Sequence, residues 1–170
     1  QEYQKLCHTT FQQCGCVYVK SCEGDQIIGA FEPEDANMAV VASIKILKDL
    51  FRRNLHVRES NQVRAAIGIH RGEMILENGD PVTTTDMRVG KAIQSLAGAD
   101  EILLSKDILP DLDYQIRENI SHYGIFEFPG LSDSYTLYTM NWTHAQLRPS
   151  LLYPPLRNRP RKYRPFQGKD

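Results

Sequence analysis

The sequence predicts an α+β fold, a mixed or antiparallel sheet with helices packed on one face. Three observations carry this. Residues 16–31 (CVYVKSCEGDQIIGAF) hold two short β-rich runs around a glycine-centred turn. From Met38 to Phe51, apolar residues recur at helical spacing (Val41, Ile44, Ile46, Leu47 and Leu50 between them). Beyond Val63, short apolar runs alternate with turn signals and a second helical stretch.

Composition bounds the class. The 170 residues are 41% hydrophobic and 24% charged, with a formal net charge of −1. That is the profile of a soluble domain with a substantial core, and the charge balance argues against a general nucleic-acid binder. No apolar run reaches the length of a membrane span and no secretory signal opens the chain, so an intracellular setting is expected. The organisation expected is a domain over 1–142 and a tail over 143–170. Cys7, Cys14, Cys16 and Cys22 all fall in the first 22 residues, with His8 beside them. They have no paired C-x-x-C spacing, so packed, reduced thiols are expected rather than a zinc site.

In chain order, 1–13 reads as the end of a helix stopped by Gly15. An opening on the last turns of a helix predicts a further segment upstream. Val17–Ser21 and Gln26–Phe31 read as a β-hairpin with Glu23-Gly24-Asp25 as its turn, Val17 and Val19 alternating with Tyr18 and Lys20. The plain role for Asp25 is turn chemistry; the sharper one is a metal ligand at the tip of a rigid hairpin. Pro33, Glu34 and Asp35 suit a first helical turn, and Arg52 and Arg53 suit the last. Asn54–Gln62 reads as a polar, mobile loop. Val63–Ile69 and Glu73–Glu77 read as strands joined through His70-Arg71-Gly72. Asn78-Gly79-Asp80-Pro81 reads as a turn, and Thr83–Asp86 as the cap of a helix running to Ala97. Glu101–Leu104 reads as a buried strand, and Ser105 as the cap of a brief helix stopped by Pro110. Tyr114–Arg117, Gly124–Phe128 and Tyr135–Met140 read as late strands. From Thr143 the chain gains five of its nine prolines and a basic cluster at Arg157, Arg159, Arg161, Lys162 and Arg164. Interleaved Leu151, Leu152, Tyr153, Leu156, Tyr163 and Phe166 make an extended, protein-docking tail the expectation.

Four of these segments, in this order, resemble the class III adenylate/guanylate cyclase catalytic domain. They are EGDQIIGAF at 23–31, VRAAIGIHRGEM at 63–74, AGADEILLS at 97–105 and FEFPGLSDSYTLYTM at 126–140. Together they span nearly everything from Val17 to Met140. The resemblance implies the family's ferredoxin-like fold. It also implies the family chemistry, in which the 3′-hydroxyl of a nucleoside triphosphate attacks its own α-phosphate and pyrophosphate leaves. Two Mg²⁺ or Mn²⁺ ions on two carboxylates would assist, across a site built by two chains or two halves.

Residue by residue, the resemblance puts Asp25 at the second metal carboxylate. The first belongs to a strand upstream of Gln1. Lys20 lies next to the base-reading lysine, whose own position falls on Ser21. Counting back from EILLS, the ribose-contacting Asn falls on Arg88 and the α-phosphate-contacting Arg on Ala92; Lys91 is adjacent but rotated by about 100° on the helix. These departures predict an impaired enzyme, inactive as a symmetric dimer. The leading expectation is a structural or regulatory cyclase-homology module in a larger assembly. The alternatives are the metal-carboxylate half of a heterodimeric cyclase, and a nucleotide sensor contacting its ligand through Asp25, Lys20 and Arg88. The implied partners are a homologous or complementary cyclase domain, or a host assembly held by the tail. His70 and Arg71 read as structural members of their turn, and Glu73 and Glu77 as solvated.

Overall fold

In the computed structural model, which describes residues 2–153, α1 (Glu2–Gln13) ends at Gly15, whose φ of 87° is the left-handed turn that stops a helix. β1 (Tyr18–Ser21) and β2 (Ile27–Ala30) follow as an antiparallel hairpin with Tyr18 opposite Ala30 and Ser21 opposite Ile27. The alternation expected over Val17–Lys20 is not seen: Val17 and Tyr18 are both buried, and Val19 and Lys20 are both half-buried. Tyr18 is 1% exposed while Val19 is only half-buried, because the phenol ring offers more apolar area to the packed face than valine does.

Pro33–Asp35 forms a 3₁₀ turn rather than the first α-turn, and leads into α2 (Ala36–Asn54). Ten of the nineteen residues of α2 are buried, so its packing rather than propensity holds it. The loop after α2 is cross-tied. Asn54 Nδ2 donates to Val63 O at 2.9 Å, Val63 N donates to Asn54 Oδ1 at 3.1 Å, and Gln62 Nε2 donates to Asn54 O at 3.0 Å.

The described chain forms two compact units, 2–63 with 147–153, and Arg64–Gln146. In the first, α1, the hairpin and α2 enclose a cluster of Cys14, Met38, Val41 and Ala42, rimmed by Phe11, Phe31, Leu147 and Leu152. Phe11 and Phe31 meet edge to face with centroids 6.0 Å apart. A Cβ at Gly29 would lie 3.2 Å from the Phe11 ring, so the glycine is what lets that ring lie on β2. Cys7, Cys14 and Cys16 are buried free thiols, in keeping with the expected packed cysteines.

The second unit is built on four strands in the order β3-β6-β8-β7: β3 (Ala66–Ile69), β6 (Glu101–Ser105), β7 (Ile120–Glu127) and β8 (Ser134–Met140). β3 and β6 are parallel, and β8 is antiparallel to both β6 and β7. Between β3 and β6 lies a separate hairpin of β4 (Ile75–Glu77) and β5 (Asp80–Val82). Positive φ at Asn78 and Gly79 gives its turn the twist a two-residue hairpin requires. Glu73 lies outside β4, so Glu73 and Glu77 do not share a strand as expected. α3 (Thr85–Leu96), capped by Thr84 accepting from Met87 N, lays Val89 and Ile93 on Leu103 and Leu137, all four fully buried. Each such side chain contributes about 1.5–3 kcal/mol on burial.

Two further expectations are corrected. Tyr114–Arg117 is not a strand but one helical turn, α4, because Asp113 accepts from Gln115 N and caps it. The 3₁₀ helix at Lys106–Asp111 contains Pro110 rather than stopping before it, and Ser105 makes no capping hydrogen bond. Its hydroxyl is engaged elsewhere, as described below. Of the tail, Pro149–Leu152 forms the helical turn α5, and the basic cluster at 157–164 lies outside the described residues.

Candidate functional site

Cys22 N donates to Gln26 O at 2.7 Å, which closes the β1–β2 loop, and Gly24 takes a φ of +70° within it. That geometry presents Asp25 as an exposed carboxylate at the hairpin tip. The Tyr3 phenol is pushed well above its ordinary range, first by burial, then by Cys7 and then by Asp25, so α1 lies within electrostatic reach of this carboxylate. Lys20 is on the same hairpin, paired with Ile28 across the strands and half-buried. Its neighbour Ser21 is bonded to His8, Oγ to Nε2 at 2.9 Å.

Hard divalent ions take several oxygen ligands, and a two-metal site needs at least two carboxylates. Among the described residues, no three His, Cys, Asp or Glu side chains gather into a metal-binding group.

Arg88 and Ala92 sit one turn apart on α3, in the second unit. Arg88 is exposed, and its Nη2 donates to Gly130 O at 3.0 Å, tying α3 to the β7–β8 turn. A Cβ at Gly130, where φ is +80°, would lie 2.8 Å from that same nitrogen. The guanidinium is therefore used as a structural tie. Ala92 ends in a methyl group, which offers no charge or donor to a phosphate. Lys91 is exposed on the neighbouring helical position.

A polar constellation in the second unit was not legible as a site from sequence. His70 Nδ1 lies 2.7 Å from Ser105 Oγ, and His70 Nε2 lies 3.2 Å from Asp86 Oδ1. With a carboxylate at Asp86 and a neutral ring at His70, Nε2 donates to Asp86 and Nδ1 accepts from the Ser105 hydroxyl. Asp86 Oδ2 accepts from Glu73 N at 2.8 Å, and Thr84 Oγ1 donates to Glu73 O at 3.1 Å. The order Ser–His–Asp resembles a nucleophile relay, but Ser105 is 1% exposed and the His70 side chain 5%. With both ring nitrogens of His70 bonded within the fold, this constellation acts as a clasp joining β3, β6 and the start of α3. Arg71 Nη1 stands 3.3 Å from Asp111 Oδ2, an ion-pair contact that also ties down this turn.

Beside the clasp, Ser105, Lys106, Asp107, Asp133, Ser134, Tyr135 and Thr136 line an open polar cleft of about 390 Å³. The Tyr135 phenol is raised by desolvation, then by Asp133, Asp86 and Asp107. No helix among the described residues is long and apolar enough to cross a membrane.

No protein-family model matches the sequence, and no curated protein matches it. Solved structures do. An adenylate/guanylate cyclase/hydrolase from Silicibacter pomeroyi superposes with a TM-score of 0.66 at 14% identity, over 81% of this chain and 79% of that one. The adenylyl cyclase CyaB from P. aeruginosa gives 0.62 at 16% identity, over 82% and 78%. An adenylate cyclase from Trypanosoma brucei, solved in its monomeric state, gives 0.65 at 14% identity, over 86% and 79%. At these identities the likeness concerns the fold, which is that of the class III adenylate/guanylate cyclase catalytic domain.

Proposed function

We propose that this chain is a cyclase-homology domain with impaired chemistry, acting as a structural or regulatory module within a larger assembly. The observation that carries the reading is on α3. Arg88 stands where the fold's ribose-contacting Asn is expected and spends its guanidinium on Gly130 O, and Ala92 stands where the phosphate-contacting Arg is expected. Donors aimed at a developing phosphate charge are each worth on the order of 10²–10³ in rate. With both replaced, turnover by this chain alone falls below detection. The test is cyclic-nucleotide production from ATP or GTP with Mn²⁺ by the isolated protein. Robust product formation that Asp25→Ala abolishes overturns the reading.

A second reading is favoured by Asp25 alone: the chain is the carboxylate-bearing half of a heterodimeric cyclase, whose partner supplies the Asn/Arg pair. It rests on the exposed hairpin-tip position of that carboxylate and on Lys20 in the same hairpin. This reading also requires the first metal carboxylate from a strand ahead of Gln1, so the test mixes protein carrying that strand with cyclase domains that carry the Asn and Arg but lack metal carboxylates. Product that appears only in the mixture, and is lost with Asp25→Ala, supports the heterodimer; silence in every mixture leaves the module reading standing. A nucleotide-sensing role would instead register as Mn²⁺-dependent nucleotide binding without product.

A further inference from the structure

The β4–β5 turn carries the chain's one asparagine followed by a glycine, Asn78-Gly79, and the proposed function leaves it without a role. Asn78 is exposed, and both residues sit in left-handed backbone, at φ 52° and 81°. The hairpin they close is slight. It has three residue pairs and, among the described residues, forms a two-stranded sheet of its own, an arrangement that is marginal in water. Glu77 stands opposite Asp80, a like-charge pair, and Leu76 opposite Pro81, which has no backbone N–H to give to the ladder. Ile75 opposite Val82 is the one pair of β-branched side chains, and Ile75 is 43% exposed. Gly79 and Asp80 each make a further interaction, which adds to the cost of opening. A short ladder with these pairs nevertheless belongs to the low-stability end of a fold, where local opening is most frequent.

We propose that Asn78 is a site of spontaneous covalent modification, deamidation, gated by opening of the β4–β5 hairpin. In the closed turn, hairpin geometry fixes the Asn78 backbone. Once the hairpin opens, the Gly79 backbone nitrogen reaches Asn78 Cγ. That nitrogen gives up its proton and forms a bond to Cγ, the Cγ–Nδ2 bond breaks, and ammonia leaves with the proton. A cyclic succinimide remains. Water from solvent then adds to either of its carbonyls. Attack at one gives aspartate at position 78, and attack at the other gives isoaspartate, whose backbone runs through Cγ. Glycine makes the route accessible because it puts no side chain beside the attacking nitrogen. Either product adds a carboxylate between Glu77 and Asp80, where two acids already face each other. Isoaspartate also lengthens the backbone by a methylene and so shifts the register of β4 on β5.

The full chain and a free peptide of residues 74–83 are incubated side by side at mildly alkaline pH for weeks and then digested at acid pH. Each asparagine is followed by mass spectrometry that separates aspartate from isoaspartate. Asn78 is expected to convert ahead of Asn54, which precedes a leucine and whose side-chain amide is bonded to Val63 through both its oxygen and its nitrogen. The folded rate is expected to lie about 10-fold or more below the peptide's, because the hairpin has to open first. Ile75→Ala, read against a peptide with the same change, is expected to narrow that gap by about 3-fold or more. Gly79→Ala loosens the turn, since alanine resists a φ of 81°, yet is expected to slow conversion in chain and peptide alike. Conversion of Asn78 no faster than that of Asn54 overturns the site, and faster conversion in Gly79→Ala overturns the succinimide route. A folded rate equal to the peptide's, or a gap that Ile75→Ala leaves unchanged, overturns gating by the hairpin.

Discussion

His70 Nδ1 and Ser105 Oγ stand 2.7 Å apart, bridging the turn after β3 to the end of β6. These strands are parallel neighbours with Ile69 opposite Leu104, so the next residues along each chain meet at the carboxyl end of the pair. With Asp86 on its other nitrogen, His70 has both ring nitrogens satisfied in a site where its side chain is 5% exposed. Replacing it by alanine leaves a cavity and strands the Ser105 hydroxyl. His70→Ala is expected to lower stability by about 2–4 kcal/mol, and Ser105→Ala by about 1–2 kcal/mol, in urea titrations followed by far-UV circular dichroism. A loss below about 0.5 kcal/mol for His70→Ala would mean that the clasp is incidental.

Two glycines of this unit separate space from propensity. A Cβ at Gly72 would fall 2.2 Å from Asp86 Cγ, whereas one at Gly90, inside α3, meets nothing within 4 Å. Gly72→Ala must displace the carboxylate that holds His70 and Glu73 N, and is expected to destabilise by about 1–3 kcal/mol. Gly90→Ala is expected to stabilise by about 0.5–1 kcal/mol, because alanine gives up less backbone freedom in a helix. Thermal melts of the two variants should therefore move in opposite directions.

Much of this was legible before the structure, and the failures have physical causes. The β1–β2 hairpin follows from the Gly24 turn between two β-rich runs, and α3 from the Thr84 cap and the spacing of Val89 and Ile93; both are short-range signals. Tyr114–Arg117 misled because four residues cannot distinguish a strand from a helical turn, and the deciding bond comes from Asp113 just outside them. β5 went unread because Pro81 argues against a strand, yet this two-stranded hairpin tolerates it opposite Leu76. The clasp is long-range: His70 and Ser105 are 35 residues apart and meet only once β3 and β6 pair. The bond from Arg88 Nη2 to Gly130 O is long-range as well and required coordinates.

Arg88 offers a test of that tie. Its side chain is exposed and its bond to Gly130 O is solvent-facing. Arg88→Ala is expected to change global stability by less than about 1 kcal/mol. Hydrogen exchange should nevertheless rise locally, at Leu131 N, whose bond to Phe128 O closes the turn between β7 and β8. Unaltered exchange at that amide would show that Gly130 is held by its own backbone and not by the guanidinium.

Alkaline pH gives a further handle. Burial raises the Tyr3 phenol first, with Cys7 and Asp25 adding to it, from an ordinary value of 10.0. Burial also raises Cys7 and Cys14 from 9.0, offset in part by the Tyr3 hydrogen bond and by Lys45 respectively. In the unfolded chain the thiols lose protons near 9 and the phenol near 10, while the folded chain still holds them. Above those values the unfolded state binds fewer protons than the native one, so stability falls as pH rises. Below about pH 8 these groups contribute no slope, since both states keep their protons. Urea midpoints measured from pH 8 to pH 11 should therefore fall from about pH 9 upward, and fall less steeply in Tyr3→Phe and Cys7→Ala. The slope is the readout, because Cys7→Ala also lowers stability at every pH by opening a small cavity. Parallel wild-type and variant curves would mean that neither group stays protonated in the folded chain beyond its ordinary range.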